Sequence, residues 1–247
     1  GGTSIMAIID KPSDYFNTVL YTGNATARNI TGVNFQPDFT WIKMRSGTGF
    51  HKLTDAVRGA TKEIYSNSTA AEYAQTQGLT AFGTDGFTLG TDANYNGNSS
   101  TFASWNWKAG TSFTNDASAT GIGTIDSTGS VNTDAGFSIV SYTGNQTSGA
   151  TVAHGLGSKP AMMIFKERNG TTGWVVYHHK NTSAPATEYL QLNSTNATGD
   201  YAGYFNDTEP TSSVFTLGND TGINQSGDTY IAYCFAEKQG YSKFGSY

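Results

Sequence analysis

The chain has 247 residues, with 14 Lys and Arg against 19 Asp and Glu, for a formal net charge of −5. That balance excludes the basic footprint by which proteins bind nucleic acid through counterion release. Charged residues are only 13% of the chain, against roughly 25% in an average soluble domain, a composition typical of extracellular or particle-surface β-proteins. No run of roughly 18 apolar residues is present, so no helix is expected to insert in a membrane.

In chain order, residues 1–13 read as a lead segment. Ser4 to Ile9 is apolar but too short for a signal peptide and lacks a basic start. A chain opening on Gly1-Gly2 reads as a fragment or a processed product. Short aromatic and β-branched runs closed by Gly, Asn, Asp or Pro then predict strands. The first set is Phe16 to Tyr21, Phe39 to Met44, Gly86 to Leu89 and Phe102 to Trp107. The best helix candidate, Thr69 to Gln77, has no sustained apolar stripe. Thr111 to Asp134, rich in Thr, Ser, Gly and Asp, reads as a linker. The second set is Phe137 to Tyr142, Met162 to Phe165, Trp174 to Tyr177, Val214 to Leu217 and Tyr230 to Phe235. Cys234 lies in the apolar run Tyr230 to Ala236 and reads as a buried thiol; as the single cysteine it can form no intramolecular disulfide.

The two sets are related. Leu20-Tyr-Thr-Gly-Asn24 returns as Ser141-Tyr-Thr-Gly-Asn145. Ala60-Thr61 through Asn67-Ser68-Thr69 returns as Ala186-Thr187 through Asn193-Ser194-Thr195. Phe87-Thr-Leu-Gly90 returns as Phe215-Thr-Leu-Gly218. The offset only grows, in small steps, as expected for two copies of one domain with short loop insertions. The expected fold is all-β: two tandem homologous antiparallel β-sandwich domains, jelly-roll or concanavalin-like, over 14–110 and 135–238 with a 111–134 linker. Alternation puts Ala103, Trp105 and Trp107 on one strand face and Ile231, Tyr233 and Phe235 on its counterpart, so these aromatics are expected to form each copy's core. Residues 239–247 resemble the entry into each copy and read as the start of a third copy or an array-linking strand.

Enzyme signatures are missing from the pattern, and a non-enzymatic protein with no catalytic residues or cofactor is expected. His51, His154, His178 and His179 have no counterparts in the other copy and no zinc-ligand spacing with Cys or Asp. The glutamates at 63, 72, 167, 188, 209 and 237 show no paired spacing of the glycosidase kind. One metal motif is half present: Asp92, Asn94 and Asn96, followed by Gly97, begin like a calcium loop. Its twelfth position is Ala103 instead of Glu, and turn chemistry explains the same residues without calcium. Asn-x-Ser/Thr tripeptides recur from Asn24 to Asn224 and read either as glycosylation sites or as turn asparagines beside strand threonines. Lys43 and Arg45 are matched by Lys166 and Arg168; their spacing suggests a stabilising pair at a strand end or a domain contact, or contact with an acidic glycan.

The strings Val19-Leu-Tyr-Thr-Gly-Asn24, Asp85-Gly-Phe-Thr-Leu-Gly90, Trp105-Asn-Trp-Lys-Ala-Gly110, Tyr230-Ile-Ala-Tyr-Cys-Phe-Ala-Glu237 and Gly240-Tyr-Ser-Lys-Phe-Gly-Ser-Tyr247 resemble a tandem-repeat β domain family of marine tailed phages, such as those of cyanobacteria and SAR11-type bacteria. The resemblance implies a tail-fibre or virion structural protein located on the virion or outside the cell, and no established ligand residues. The expected partners are further copies, as a trimer or filament, and other virion proteins. A carbohydrate-binding module for host-surface glycans and a glycan-cleaving tailspike are the alternatives.

Overall fold

From Thr229 to Phe235 two apolar sets alternate. Tyr230, Ala232 and Cys234 face one way, and Ile231, Tyr233 and Phe235 the other. A strand that is apolar on both faces needs a layer on each side. The computed structural model, which describes residues 8–247, is built from such strands.

The first half runs β1 (Phe16–Thr22), β2 (Arg28–Thr31), β3 (Phe39–Met44), β4 (Lys52–Asp55), β5 (Lys62–Tyr65), β6 (Tyr73–Ala74), β7 (Leu79–Gly83), β8 (Gly86–Leu89), α1 (Ala93–Asn96) and β9 (Thr101–Trp107). Then come β10 (Thr111–Asn115), α2 (Ala117–Thr120) and β11 (Ser127–Asn132). The second half runs β12 (Phe137–Thr143), β13 (Ala150–Ala153), β14 (Met162–Glu167), β15 (Val175–His178), β16 (Glu188–Gln191), β17 (Gly199–Asp200), α3 (Ala202–Phe205), β18 (Val214–Leu217), α4 (Thr221–Asn224) and β19 (Thr229–Phe235). The fold is all-β, and its strand pairs are antiparallel.

In the first half a sheet ordered β1-β9-β3-β4-β5-β6 lies beside a smaller one, β2-β8-β7. In the second half the order β12-β19-β14-β15-β16-β17 repeats the first strand for strand, and β13-β18 takes the place of β2-β8. Register repeats too: Phe16 and Phe39 flank Trp107, as Phe137 and Met162 flank Phe235.

Three apolar interlayers hold these sheets together. Ile30, Ile42, Phe87, Leu89 and Phe102 join the small sheet of the first half to its large one. Val152, Phe165, Phe215, Tyr230 and Ala232 do the same in the second half. Between the large sheets Phe39, Leu53 and Ile64 meet Phe137, Ile139, Ile164, Ile231 and Tyr233. Four β layers result, and the two halves share the central seam.

The expected core face is therefore corrected. Within the first half the buried face of β9 is Phe102, Ser104 and Asn106. Its other face turns to the seam, where the large sheets overlap only partly. Tyr233 is fully buried, while Trp105, Trp107 and Phe235 are only half-buried. Both faces carry aromatics, so alternation alone could not tell inner from outer.

The 111–134 linker is also corrected. Its β10 and β11 extend the second large sheet, with β11 paired to β12 along Ser127–Asn132. A Thr- and Ser-rich run looks like a loop in isolation, but β-branched Thr fits a strand where an edge offers partners. Residues 239–247 are not a strand either. They turn back through a Lys238–Ser242 bridge and lie on their own chain. The lead segment's residues 1–7 lie outside the described residues.

Candidate functional site

Where the two large sheets diverge, the seam opens as an apolar cleft of about 290 Å³. Phe16, Trp41 and Trp107 line it from the first half; Phe137, Met162 and Phe235 line it from the second. Ring stacking fixes the walls: Phe39 lies 4.3 Å from Tyr233 and 5.0 Å from Trp107, and Phe137 lies 5.0 Å from Phe235. The C-terminal turn closes one side. Phe244 lies 6.0 Å from Phe235, its N–H donates to Glu237 Oε1 (3.1 Å), and its carbonyl lies 3.1 Å from His179 Nε2. Among the described residues that line the cleft, none is ionised near neutral pH. Its lining suits apolar contact.

Deeper in the seam, charge is spent on joining the halves. Asp55 Oδ2 accepts from Arg58 Nε (2.5 Å) and from the hydroxyl of Tyr233 in the other half (2.7 Å). Arg58 also reaches the Leu53 carbonyl (2.9 Å) and Glu72 (3.4 Å). Glu72 in turn accepts from Arg168 of the second half at 3.0 and 3.2 Å. Burial opposes the Arg58 charge, but Asp55, Tyr233 and Glu72 outweigh it and hold its pKa above the ordinary value. Burial likewise pushes the Tyr233 hydroxyl up, so it remains a donor. The Trp174 indole adds a bond across the seam to the Tyr65 carbonyl (2.8 Å).

On the outer surface Tyr189, Tyr201 and Tyr204 form an aromatic group, with Tyr204 4.6 Å from Tyr189 and 5.2 Å from Tyr201 in edge-to-face geometry. Tyr201 is 45% exposed and donates to Asp220 Oδ2 (3.2 Å). Gly199 and Gly203 let these rings lie on the backbone: a Cβ there would come within 2.5 Å of Tyr189 and 2.3 Å of Tyr201. Sequence reading missed this group, because its members come from a strand end, a helix cap and a helix. The repeated Tyr and Gly around 199–204 were the available signal.

Two of the three calcium candidates, Asp92 and Asn96, have other partners for their side chains. Asp92 caps α1, accepting from the Asn94 N–H (2.8 Å), and its second oxygen accepts from Gln75 (3.1 Å). Asn96 is buried; its Oδ1 accepts from Asn24 N–H (3.1 Å) and its amide donates to the carbonyls of Thr26 (2.7 Å) and Gly90 (2.9 Å). Asn224 makes the same three bonds to Asn145, Thr147 and Gly218. The motif is a loop clamp present twice.

Lys43 and Lys166 are equally matched, each donating to the carbonyl of its strand's last residue and to one in the turn that follows. Lys166 is fully buried, and burial lowers its pKa to about 8. Arg168 takes part in the seam ion pair. His154 is buried between the Leu156 N–H and the Thr211 carbonyl, and Cys234 is a buried thiol. The four histidines are not brought together; only His178 and His179 are neighbours.

A family model described as Domain of unknown function (DUF7483) matches residues 11–247 and so spans both halves and the hairpin between them. No curated protein and no solved structure matches the chain.

Proposed function

The chain belongs to the DUF7483 family, and from that premise we propose that it is a non-enzymatic structural protein of a phage virion, displaying two tandem β-sandwich copies at the particle surface as part of a fibre, filament or decoration. The observation that carries this reading is the use made of charge: Asp55, Arg58, Glu72 and Arg168 join the halves into one rigid block instead of facing a cleft. In some proteins buried ionic groups specify one arrangement of parts, and a display element must hold its geometry under load. The tandem strings, which resemble those of marine phage fibre proteins, favour the same reading. An antibody to this chain should label intact virions, and the purified protein should release no reducing ends from host polysaccharide. Turnover, or label confined to the lysate supernatant, would overturn it.

A second reading, host-glycan binding, is favoured by the Tyr189–Tyr201–Tyr204 group beside Asp220. Tyr201 is exposed, with the half-buried Tyr189 and Tyr204 behind it, and an exposed ring next to a carboxylate suits the faces and hydroxyls of a sugar. If it holds, Tyr201→Ala should abolish polysaccharide retention while leaving the melting temperature within a degree or so of the parent.

A further inference from the structure

The two halves repeat one strand order but end differently. In the second, the outer edge of β12 is paired by β11 from Ser127–Tyr142 to Asn132–Phe137. The same segment covers β13: the N–H groups of Thr124 and Ile125 donate to the Thr151 carbonyl, and Ile125 bridges Val152. In the first half the equivalent strands β1 and β2 have, among the described residues, no strand on those edges. The described residues before β1 run elsewhere: Ile9 N–H donates to the Gln239 carbonyl and Pro12–Asp14 form a single turn. Side chains of β1 are exposed as well: Thr18 is exposed, and Leu20 is 62% exposed.

Strand edges with unpaired N–H and C=O groups are templates for another chain, and proteins blunt them with charge, proline or brevity. The far edges here, β6 and β17, are two residues long. No charged residue, proline or brevity protects β1, Phe-Asn-Thr-Val-Leu-Tyr-Thr, or β10, Thr-Ser-Phe-Thr-Asn, the outermost strand of the other large sheet. The Thr22 carbonyl is already taken by Arg28 Nη2; along Phe16 to Tyr21 no second strand pairs on the side away from β9 among the described residues.

We propose that the β1 edge is a receiving site for a second copy of this chain, which offers its β10 edge, so that the six-stranded sheet of one protomer continues into the eight-stranded sheet of the next. The β10–β11 hairpin supplies in the second half a cover that the first half lacks among the described residues. The contact is head-to-tail and leaves one β1 and one β10 open on every pair, so it propagates into rows or closes into rings. It rests on strand topology alone and does not require the virion reading.

Sedimentation velocity on the full chain and two surface variants tests this. Leu20→Lys and Thr114→Lys each place a charge on one exposed edge position, with near-UV circular dichroism reporting an intact fold. The parent should show mass that rises with concentration at tens of micromolar. Each variant should associate at least about tenfold more weakly. An equimolar mixture of the two retains one intact pairing, the β10 of Leu20→Lys on the β1 of Thr114→Lys, and should stop at a heterodimer. A parent monomeric throughout would overturn the proposal. So would association that Thr114→Lys leaves unchanged, which would mean β1 pairing with β1, or association insensitive to both variants. Virion labelling is independent of all these outcomes.

Discussion

Asp38 and His154 are both buried, and acid acts on them with opposite signs. Burial raises the Asp38 pKa to about 6 from 3.8, against the Ala109 N–H and Lys108, which favour its charge. Between those values the folded chain holds a proton that the unfolded chain releases, so this group adds stability as pH falls. Burial lowers the His154 pKa to about 4 from 6.5, with the Thr211 carbonyl opposing. There the unfolded chain binds the proton, so stability is lost as pH falls from 6.5 towards 4. Each effect is on the order of 3 kcal/mol at most, and they offset each other across the shared window. Asp38→Asn should therefore steepen the fall in melting temperature on acidification, and His154→Gln should flatten it; equal slopes in all three proteins would refute the pairing. The clamp residues give a second test. Asn96→Asp keeps an acceptor but loses the donors to Thr26 and Gly90, which should cost about 2–3 kcal/mol. A calcium site would instead gain a ligand, so a calcium-dependent rise in the variant's melting temperature would restore the metal reading.

Strands were legible where aromatics and β-branched residues cluster between turn signals: Phe39–Met44, Gly86–Leu89 and Val214–Leu217 form as expected. Strands with polar sequences were not. β10 and β11 are rich in Ser and Thr, β5 opens on Lys-Glu, and β16 is bounded by Glu188 and Gln191; they become strands because a neighbouring edge offers backbone partners. Which face of β9 lies innermost was also illegible, since it depends on a second sheet far away in sequence. The seam network was hidden for the same reason: Asp55 and Arg58 meet Tyr233 across the whole chain. Face order makes a prediction at this scale. Phe102→Ala, inside the first-half core, should cost about 3–5 kcal/mol, whereas Trp105→Ala, half-exposed and outside the apolar clusters, should cost about 1 kcal/mol or less despite removing a larger ring. Denaturant midpoints in the reverse order would mean that the faces are assigned wrongly.

At the scale of the molecule the seam decides whether two similar halves behave as two units or one. Parting them would expose Phe39 and Leu53 on one side and Ile139, Ile164 and Ile231 on the other, all buried now. It would also strand the Asp55–Arg58 pair, whose side chains are fully buried, without the Tyr233 hydroxyl. Exposed apolar faces of that size are unfavourable in water, so neither half should persist alone after the other melts. Calorimetry should show one transition, with calorimetric and van't Hoff enthalpies in agreement. Arg58→Met leaves the Asp55 carboxylate buried without its cation and should cost about 3–5 kcal/mol. If the halves are one unit, that loss is felt everywhere: amide exchange should quicken by a similar factor in β8, deep in the first half, and in β18, deep in the second, although Arg58 belongs to neither strand. Faster exchange in β8 alone, or two calorimetric peaks, would show that the halves open independently and that the seam only brings them together.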